Sequence, residues 1–404
     1  MNFFEFFRSS DTPSRRNLIF LVLAYFSILF NYPMIRASST TFFFEAFGAK
    51  SSPTAWLWGV IFLSITVFCS NALQSKFSVQ KVFFIVSTLS FGIFLISTLA
   101  YQNGMKNVTY IPFIWKEIYI VLQIHLLLGY VNNCFKKKDF KLLIGIVGGI
   151  GSLGGILGGW VTSFVADRVG TYPVMWIGLV FVMVPALIFM ATKVLPKEDG
   201  TKSDSPIASF TPEITRYVAI IASIVALSQF IINIADFNFH LAFERTITES
   251  SARTSYLGNI FMLINLVTFV LQFLVLPFVM LRVSERNYHI FIPLSYLGCL
   301  SLLLVTPYSG VIPYAIFFIY LKASDYSLFS AGKEILYQPL GSNQKYGAKY
   351  LTDMLVYRIA KAMIAAVLIY VQTSTILNTM MTVFLLVWTV LVIHLFKLHR
   401  QLFT

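Results

Sequence analysis

Residues 171–192 read TYPVMWIGLVFVMVPALIFMAT, an apolar run that contains no Asp, Glu, Lys or Arg. A helix rises about 1.5 Å per residue, so a run of this length spans the roughly 30 Å hydrocarbon core of a bilayer. The surface helix of a soluble domain would show a polar stripe, which this run lacks. It therefore predicts a membrane-spanning helix.

Similar runs recur along the whole 404-residue chain, which is 57% hydrophobic and only 12% charged. A soluble domain has a more polar composition. We predict an all-α, polytopic membrane protein with twelve transmembrane helices, and Pro33 marks a candidate break in the first. The predicted spans are 18–46, 54–75, 82–101, 112–133, 142–166, 171–192, 217–241, 254–281, 289–306, 312–335, 348–370 and 375–396.

One long polar stretch interrupts the apolar runs, at residues 193–216, KVLPKEDGTKSDSPIASFTPEITR. Its Pro, Ser and charged residues are typical of a linker. We therefore predict an N-terminal six-helix bundle over residues 1–192, a cytoplasmic linker over 193–216 and a C-terminal six-helix bundle over 217–404.

The net charge of +13 follows from topology. With a cytoplasmic N-terminus, the even-numbered loops and both tails carry 19 Lys and Arg residues, against 5 on the opposite side. The positive-inside rule thus predicts that both termini face the cytoplasm. The basic balance needs no nucleic acid as partner; the expected partners are the lipid bilayer and a small-molecule solute, and a monomer is expected.

Charged residues inside the predicted spans are the most informative feature. A charge at the centre of a bilayer costs about 2.5–3.5 kcal/mol on insertion scales, so such residues usually face a polar interior. Many of them lie on spans 1, 4, 7 and 10, the leading helices of four three-helix units that would meet at a central cavity. The residues concerned are Arg36, Lys116, Glu117, Asp236, Lys322, Asp325, Lys333 and Glu334 on these four spans, and Asp353, Arg358 and Lys361 on span 11.

Two interpretations of these residues stay open, a solute-binding cavity or interhelical ion pairs. The pairs would join Lys116 or Lys322 to Asp236 or Asp325, and Asp353 to Arg358 or Lys361. For the cavity, the expected substrate-binding residues are Arg36, Lys116, Glu117, Lys322, Asp325, Arg358 and Lys361.

Other residues suggest coupling and gating. Asp236 and His240, four residues apart on span 7, could load a proton, and His125 is a further candidate. Asp353 is also assigned to the coupling set. Asp353, Tyr357 and Lys361 recur at helical spacing, on a face expected to point inward. Lys333 and Glu334, at the cytoplasmic end of span 10, are expected to act as a gate.

No motif in the sequence indicates catalytic activity. The sequence contains neither HExxH nor GxSxG, and Cys69, Cys134 and Cys299 have no CxxC spacing. We therefore expect no enzyme activity, no cofactor and no metal site.

Span 5 is rich in glycine, in the string GIVGGIGSLGGILGGW. Small residues four apart, such as Gly151 with Gly155 and Gly155 with Gly159, let membrane helices approach closely. This seam is either a fixed packing surface or a surface along which two parts of the protein slide.

The stretch SDYSLFSAGKEILYQPL at 324–340, continued to residue 365, carries a longer pattern. Its members are Ser327, Leu328, Phe329, Lys333, Glu334, Tyr337, Pro339, Leu340, Lys345, Gly347, Lys349, Asp353 and Lys361. This pattern resembles the nucleotide transporter family, the ATP/ADP translocases of plastids and intracellular bacteria. The resemblance implies a major facilitator-like fold of two pseudo-symmetric halves and a bacterial inner membrane.

The sequence also departs from that family. Arg36 is followed by Ala-Ser-Ser-Thr in place of the usual Asp-Thr-Lys-Asp, Asp325 stands where a lysine is usual, and Asp236 replaces a glutamate. Two cations suited to phosphate are thus missing. The resemblance implies a secondary active transporter of a small polar or anionic solute that works by alternating access. A nucleotide or phosphorylated metabolite is the expected solute, and antiport is one expected mode. The alternatives are a proton-coupled transporter of another organic solute and a non-transporting sensor or assembly protein.

Overall fold

The computed structural model describes residues 12–134, 137–192, 210–306 and 310–403. Within these ranges every regular element is helical and no β-strand occurs. The first nine long helices are α1 Thr12–Phe47, α2 Ser52–Gln74, α3 Val79–Gln102, α4 Tyr110–Cys134, α5 Lys137–Val169, α6 Thr171–Met190, α7 Pro212–Thr246, α8 Ser250–Arg282 and α9 Glu285–Val305.

The last three long helices complete the chain. Helix α10 comprises Val311–Ser324, Asp325–Phe329 and Ser330–Leu336, α11 comprises Ser342–Lys349, Tyr350–Val356 and Tyr357–Tyr370, and α12 is Ser374–Phe403. The middle segments of α10 and α11 are π-helical, as is Leu271–Val275 within α8. π-Helical turns inside longer helices are frequent at functional sites. Two predicted site residues, Asp325 and Asp353, lie in such segments.

The predicted all-helical membrane fold is confirmed. Counted over the described residues, ten helices are long and apolar enough to cross a membrane. The remaining two, α10 and α11, are divided by their π-helical segments and carry several of the intramembrane charges. Helices thus occupy all twelve predicted spans, and twelve membrane crossings stay a prediction.

Pro33 does not interrupt α1, which runs without a break from Thr12 to Phe47, so the candidate break at this residue was wrong. Proline is tolerated in membrane helices where neighbouring helices support the backbone. Around Pro33 that support comes from close packing, because Met34 and Ile35 lie directly against Gly178 of α6.

The described residues form two compact units. The first lies within Met1–Gly48, Ile61–Lys197 and Ile247–Leu266, and the second within Ala49–Val60, Glu198–Thr246 and Val267–Thr404. The start of α2 thus belongs to the second unit and the start of α8 to the first. Residues 193–209 of the predicted linker lie outside the described ranges, and the predicted bundle boundaries stay a prediction.

In the first unit α1 is the central helix and packs against α4, α5 and α6. Phe42 illustrates the packing, since its ring lies 4.8 Å from the ring of Tyr101 and 4.9 Å from that of Tyr172, centre to centre. Aromatic rings at these separations attract one another beyond simple burial. The polar residues of α1 are therefore held on a helix with neighbours on several sides.

In the second unit α7 has the corresponding position and packs against α10, α11 and α12. The ring of Phe239 on α7 stacks on that of Phe318 on α10 at 4.9 Å. Trp388 of α12 is fully buried and contacts Tyr296 of α9 and Phe329 of α10 edge-on. These contacts fix α10, which carries more of the predicted site residues of this unit than any other helix.

The glycines of α5 form a packing surface on two sides within the first unit. A Cβ atom at Gly158 would lie 2.0 Å from the carbonyl oxygen of Phe30 on α1. On the neighbouring face, a Cβ at Gly159 would lie 2.6 Å from the amide nitrogen of Met262 on α8. Only glycine permits such an approach of two backbones. Close helix packing therefore explains the small residues on both faces of α5.

We expect Gly158→Ala to lower the apparent unfolding temperature of the purified protein, because the added methyl group must push α1 away from α5. Overpacking of this kind typically costs about 1–3 kcal/mol. Gly92→Ala on α3 is the matched control, since no atom lies within 4 Å of the position of its Cβ. Equal thermal stability of the two variants in the same detergent would contradict the packing explanation.

Candidate functional site

An ion pair joins α1 and α4 in the core of the first unit. The Nε of Arg36 lies 3.8 Å from Oε1 of Glu117, and the hydroxyl of Tyr32 donates a hydrogen bond to the same oxygen at 3.3 Å. The two charged side chains are 13% and 33% exposed. The site therefore holds opposite charges that neutralise each other while the carboxylate stays accessible.

Aromatic rings cover the guanidinium group of Arg36. Its Cζ lies 4.5 Å from the ring centre of Phe261 on α8 and 5.5 Å from that of Tyr32. Cations over aromatic faces are stabilised by the ring quadrupole, more so where water is excluded. These rings hold the planar guanidinium in one orientation, which suits recognition of a planar or tetrahedral anion.

Lys116 lies in a different environment from its neighbour Glu117. It is only 3% exposed, and its Nζ lies 3.2 Å from the ring centre of Phe113. Successive residues on a helix point in different directions, so the two charges do not share a face of α4. Lys116 is buried against the Phe113 ring, whereas Arg36 and Glu117 are both partly accessible.

The polar run after Arg36 is buried. Ser38 and Ser39 are both fully buried, and neither hydroxyl has a hydrogen-bond partner among the described residues. Asn31 is 1% exposed and its amide group is likewise without such a partner there. Buried polar groups without partners are costly in a membrane protein, so these positions are candidates for contact with water or solute. Sequence reasoning did not select them.

In the second unit, the predicted coupling residues Asp236 and His240 meet on α7. Oδ1 of Asp236 lies 3.3 Å from Nε2 of His240, and both side chains are almost fully buried. The ring of Trp56, at the start of α2, lies 6.0 Å from that of His240. The pair is therefore a buried acid and base in direct contact.

A polar stripe along α7 continues beyond this pair. Gln229 and Asn233 are 3% and 6% exposed and precede Asp236 and His240 at spacings of four and three residues. Such spacing places all four side chains on one helix face. Gln229 and Asn233 were not predicted from the sequence, because they carry no charge.

Lys322 and Asp325 both lie on α10, where each is partly buried. Asp325 is the first residue of the π-helical segment, and Lys322 and Lys333 both attract its carboxylate electrostatically. The Nζ of Lys322 lies 5.8 Å from the ring centre of Phe318. Lys322 and Asp325 are three residues apart on this one helix, and their pairing stays a prediction.

Two ion pairs join α10 to α11, and we call them the α10–α11 clasp. The Nζ of Lys333 lies 2.7 Å from Oδ1 of Asp353, and Lys349 forms an ion pair with Glu334. The hydroxyl of Thr352 contributes a further hydrogen bond to Asp353 at 3.3 Å. The pairing of Asp353 with Lys333 was not predicted from the sequence, which placed these residues in separate coupling and gate sets.

Arg358 and Lys361 are partly buried on α11, whereas Tyr357 is 38% exposed. The most buried positions of this stretch are Ala360, Ile364, Ala365 and Leu368. Ala365 lies four residues after Lys361, on the face that Tyr357 and Lys361 share, and the inward position of that face stays a prediction.

Across the described ranges no group of three or more His, Cys, Asp or Glu side chains is placed to hold a metal ion. The polar groups brought together are ion pairs, hydroxyls and amides.

A double-mutant cycle tests the coupling of Arg36 and Glu117. Each of Arg36→Gln and Glu117→Gln should lower the apparent unfolding temperature, and the double variant should lose less than the sum, with a coupling energy of about 1 kcal/mol. Glu213, exposed at the start of α7, supplies the control, because Glu213→Gln and Arg36→Gln should be additive. Additivity in both cycles would show that the ion pair does not form.

A charge exchange tests the α10–α11 clasp. Lys333→Glu and Asp353→Lys should each destabilise the protein, since each places like charges together, and the doubly exchanged variant should recover most of the loss. Exposed Lys397 on α12 provides the control: Lys397→Glu should not rescue Asp353→Lys. If the doubly exchanged variant unfolds at no higher temperature than the single variants, the ion pair of Lys333 and Asp353 does not form.

Comparisons with known proteins agree with this picture. Residues 290–402 match the model of the TLC ATP/ADP transporter family. No curated protein matches the chain significantly in sequence.

Solved structures of transporters share the fold. The nucleoside transporter NupG is 14% identical, with a TM-score of 0.63 over 95% of this chain and 99% of that chain. A bacterial homologue of the iron transporter ferroportin, in an inward-facing state, is 13% identical, with a TM-score of 0.68 over 94% and 98%. A POT family peptide transporter is 10% identical, with a TM-score of 0.66 over 96% and 97%.

At these identities the similarity shows the fold, which is that of multi-pass membrane transporters, as predicted. The resemblance to the ATP/ADP translocases, predicted from the pattern between Ser327 and Lys361, is confirmed by the family match over residues 290–402.

Proposed function

We propose that the protein is a secondary active transporter that moves a small polar or anionic solute across the membrane by alternating access. The family match over residues 290–402 and the transporter fold support transport as the general activity. A nucleotide or related phosphorylated metabolite is the best candidate for the solute, and exchange against a second such molecule is the candidate mode.

The ion pair of Arg36 and Glu117 is the observation that carries the proposal. A buried charge in a membrane protein needs compensation, and here the compensating carboxylate is itself partly exposed. An anionic group of a solute can take the place of Glu117 beside Arg36, because guanidinium groups bind phosphate and carboxylate through paired hydrogen bonds. The solute thereby replaces an internal partner, and the empty site carries no uncompensated charge.

The other predicted substrate-binding residues stay part of the proposal in a secondary role. Lys116 is buried against Phe113, so it contributes positive potential to the site in the first unit. Lys322, Asp325, Arg358 and Lys361 belong to the second unit and stay predicted contacts.

A second candidate function, proton-coupled transport of another organic solute, rests on the pair of Asp236 and His240. A buried carboxylate beside an imidazole can accept a proton and release it again, because both groups exchange protons reversibly. For either candidate we place the protein in a bacterial inner membrane, from its resemblance to the nucleotide transporter family. The distribution of Lys and Arg between its loops favours both termini in the cytoplasm.

Uptake into proteoliposomes tests the two candidates. Labelled nucleotides and phosphorylated metabolites should accumulate only in vesicles loaded with unlabelled solute if the protein is an exchanger. An imposed pH gradient should drive accumulation if it is proton-coupled. Failure of both conditions with a broad panel of solutes would contradict transport and favour the sensor alternative.

Substitution of Arg36 tests the site. Arg36→Gln should lower uptake by about tenfold or more, because loss of a charge-assisted hydrogen bond costs about 1.5–3 kcal/mol. Arg36→Lys should retain part of the activity, since it keeps the charge and loses the paired geometry. Arg245→Gln, at an exposed position at the end of α7, is the matched control. Normal uptake by Arg36→Gln would exclude Arg36 from the binding site.

A further inference from the structure

The first turn of α9 contains a histidine whose two ring nitrogens both face backbone carbonyl oxygens. Nδ1 of His289 lies 2.7 Å from the carbonyl oxygen of Glu285, and Nε2 lies 3.1 Å from that of Gly332 on α10. The side chain is 5% exposed. Glu285, His289 and Gly332 all belong to the second unit.

The chemistry of these contacts depends on protonation. A carbonyl oxygen only accepts hydrogen bonds, so each ring nitrogen must carry a proton for both contacts to be hydrogen bonds. Neutral imidazole has one N–H group and would direct a lone pair at one of the two oxygens. Only the imidazolium form of His289 satisfies both carbonyls.

The Gly332 carbonyl is one of three on the same face of α10 that receive side chains from neighbouring helices. Tyr288 of α9 donates to the carbonyl oxygen of Leu328, and Tyr217 of α7 donates to that of Leu336. Leu328, Gly332 and Leu336 recur every four residues. Tyrosine hydroxyls keep their protons throughout the physiological pH range. The contact from His289 is therefore the titratable one of the three.

Gly332 also explains why the contact is close. A Cβ at this position would lie 2.7 Å from Cε1 of Tyr288 and 3.2 Å from Nε2 of His289. The residue is followed directly by Lys333 and Glu334, which form the α10–α11 clasp. A contact that holds the backbone at Gly332 therefore also holds the first residues of the α10–α11 clasp.

The surroundings of His289 contain charges of both signs. On its own helix the carboxylate of Glu285 favours the charged ring, and His399 on α12 opposes it. On α10, Lys333 and Glu334 follow Gly332 directly, and each is paired with α11. At the end of α8, Arg282 lies over the ring of Phe278, and Phe396 of α12 contacts the His289 ring. Burial is the largest influence and opposes the charge, whereas the two carbonyls and Glu285 support it.

We propose that His289 is a proton-binding site that connects α9 to α10. With the proton bound, the ring joins the start of α9 to the Gly332 carbonyl beside the α10–α11 clasp. The proton is lost from Nε2, because the remaining N–H stays on Nδ1 in the shorter 2.7 Å contact with the Glu285 carbonyl. The Gly332 carbonyl then faces a lone pair, and the contact between the helices is released. By the predicted topology this end of the protein faces the cytoplasm, so the proton that the site takes is a cytoplasmic one. The site is separate from Arg36 and from the pair of Asp236 and His240.

Solid-state NMR of the full-length protein in lipid bilayers tests the protonation directly. The chain has 5 histidines, and comparison of ¹⁵N-histidine spectra with those of His289→Gln assigns the signals of His289. Both ring nitrogens of His289 should carry protons at about pH 5, and one should lose its proton by about pH 8. A ring that keeps one protonation state throughout this range would overturn the proposal. This readout needs no solute, so it stands or fails apart from transport.

Distance measurements between spin labels test the coupling to α10. With the native cysteines replaced by serine, labels at Arg286→Cys on α9 and Gln338→Cys beyond α10 occupy exposed positions. The distance distribution should shift between about pH 5 and about pH 8. His289→Gln should abolish that shift. His394→Gln, which alters an exposed histidine of α12, should preserve it.

Gly332→Ala supplies a second variant that keeps the histidine. Its methyl group should displace the His289 ring and give the released distance at every pH. Gly298→Ala on α9 is the control, because no atom lies within 4 Å of the position of its Cβ. A pH-dependent shift that survives in both His289→Gln and Gly332→Ala would contradict the coupling.

Discussion

Charge compensation inside the membrane is the constraint on which the rest of this structure depends. An isolated charge within a bilayer is costly, whereas two opposite charges in contact reduce that cost and still respond to a competing ion. Arg36 and Glu117 meet this requirement in the first unit, and Lys333 and Asp353 meet it in the second. Each pair joins two different helices, so a change of partner is also a change in how those helices are held.

The helices that carry these pairs are positioned by two kinds of packing. In the first unit the glycines of α5 let its backbone approach those of α1 and α8, the helices that carry Arg36 and the covering ring of Phe261. In the second unit α10 and α11 are interrupted by π-helical segments at Asp325 and within Tyr350–Val356. Such segments leave some backbone groups outside the regular helical pattern. Side chains from α7 and α9 donate to carbonyls of α10 in the same region.

Sequence reasoning located the helices well. The run at residues 171–192 corresponds to α6 at Thr171–Met190, because length and the absence of charge determine where a chain can cross a bilayer. The same reasoning failed at Pro33, where packing around α1 supports an unbroken helix. It also found Asp236 and His240 together, because their separation of four residues is a local property of a helix.

The partners of the remaining charges could not be predicted in the same way. The contacts of Arg36 with Glu117 and of Lys333 with Asp353 join different helices, and hydrophobic periodicity contains no information about which helices are neighbours. His289 escaped notice because a lone histidine has no motif; its importance lies in two carbonyl groups that only the folded backbone brings to it. Gln229 and Asn233 escaped because uncharged polar residues are common in membrane helices.

The central claim is that Arg36 and Glu117 line a path that water and solute can enter. Cysteine accessibility in proteoliposomes tests this most directly, with Glu117→Cys introduced after replacement of the native cysteines. Val180, in the middle of α6 and exposed on its surface, provides Val180→Cys as the lipid-facing comparison. A charged, water-soluble thiol reagent should modify Glu117→Cys and leave Val180→Cys unmodified. If Glu117→Cys proved as unreactive as Val180→Cys in the folded protein, the ion pair would belong to a sealed core and the proposed binding site would be wrong.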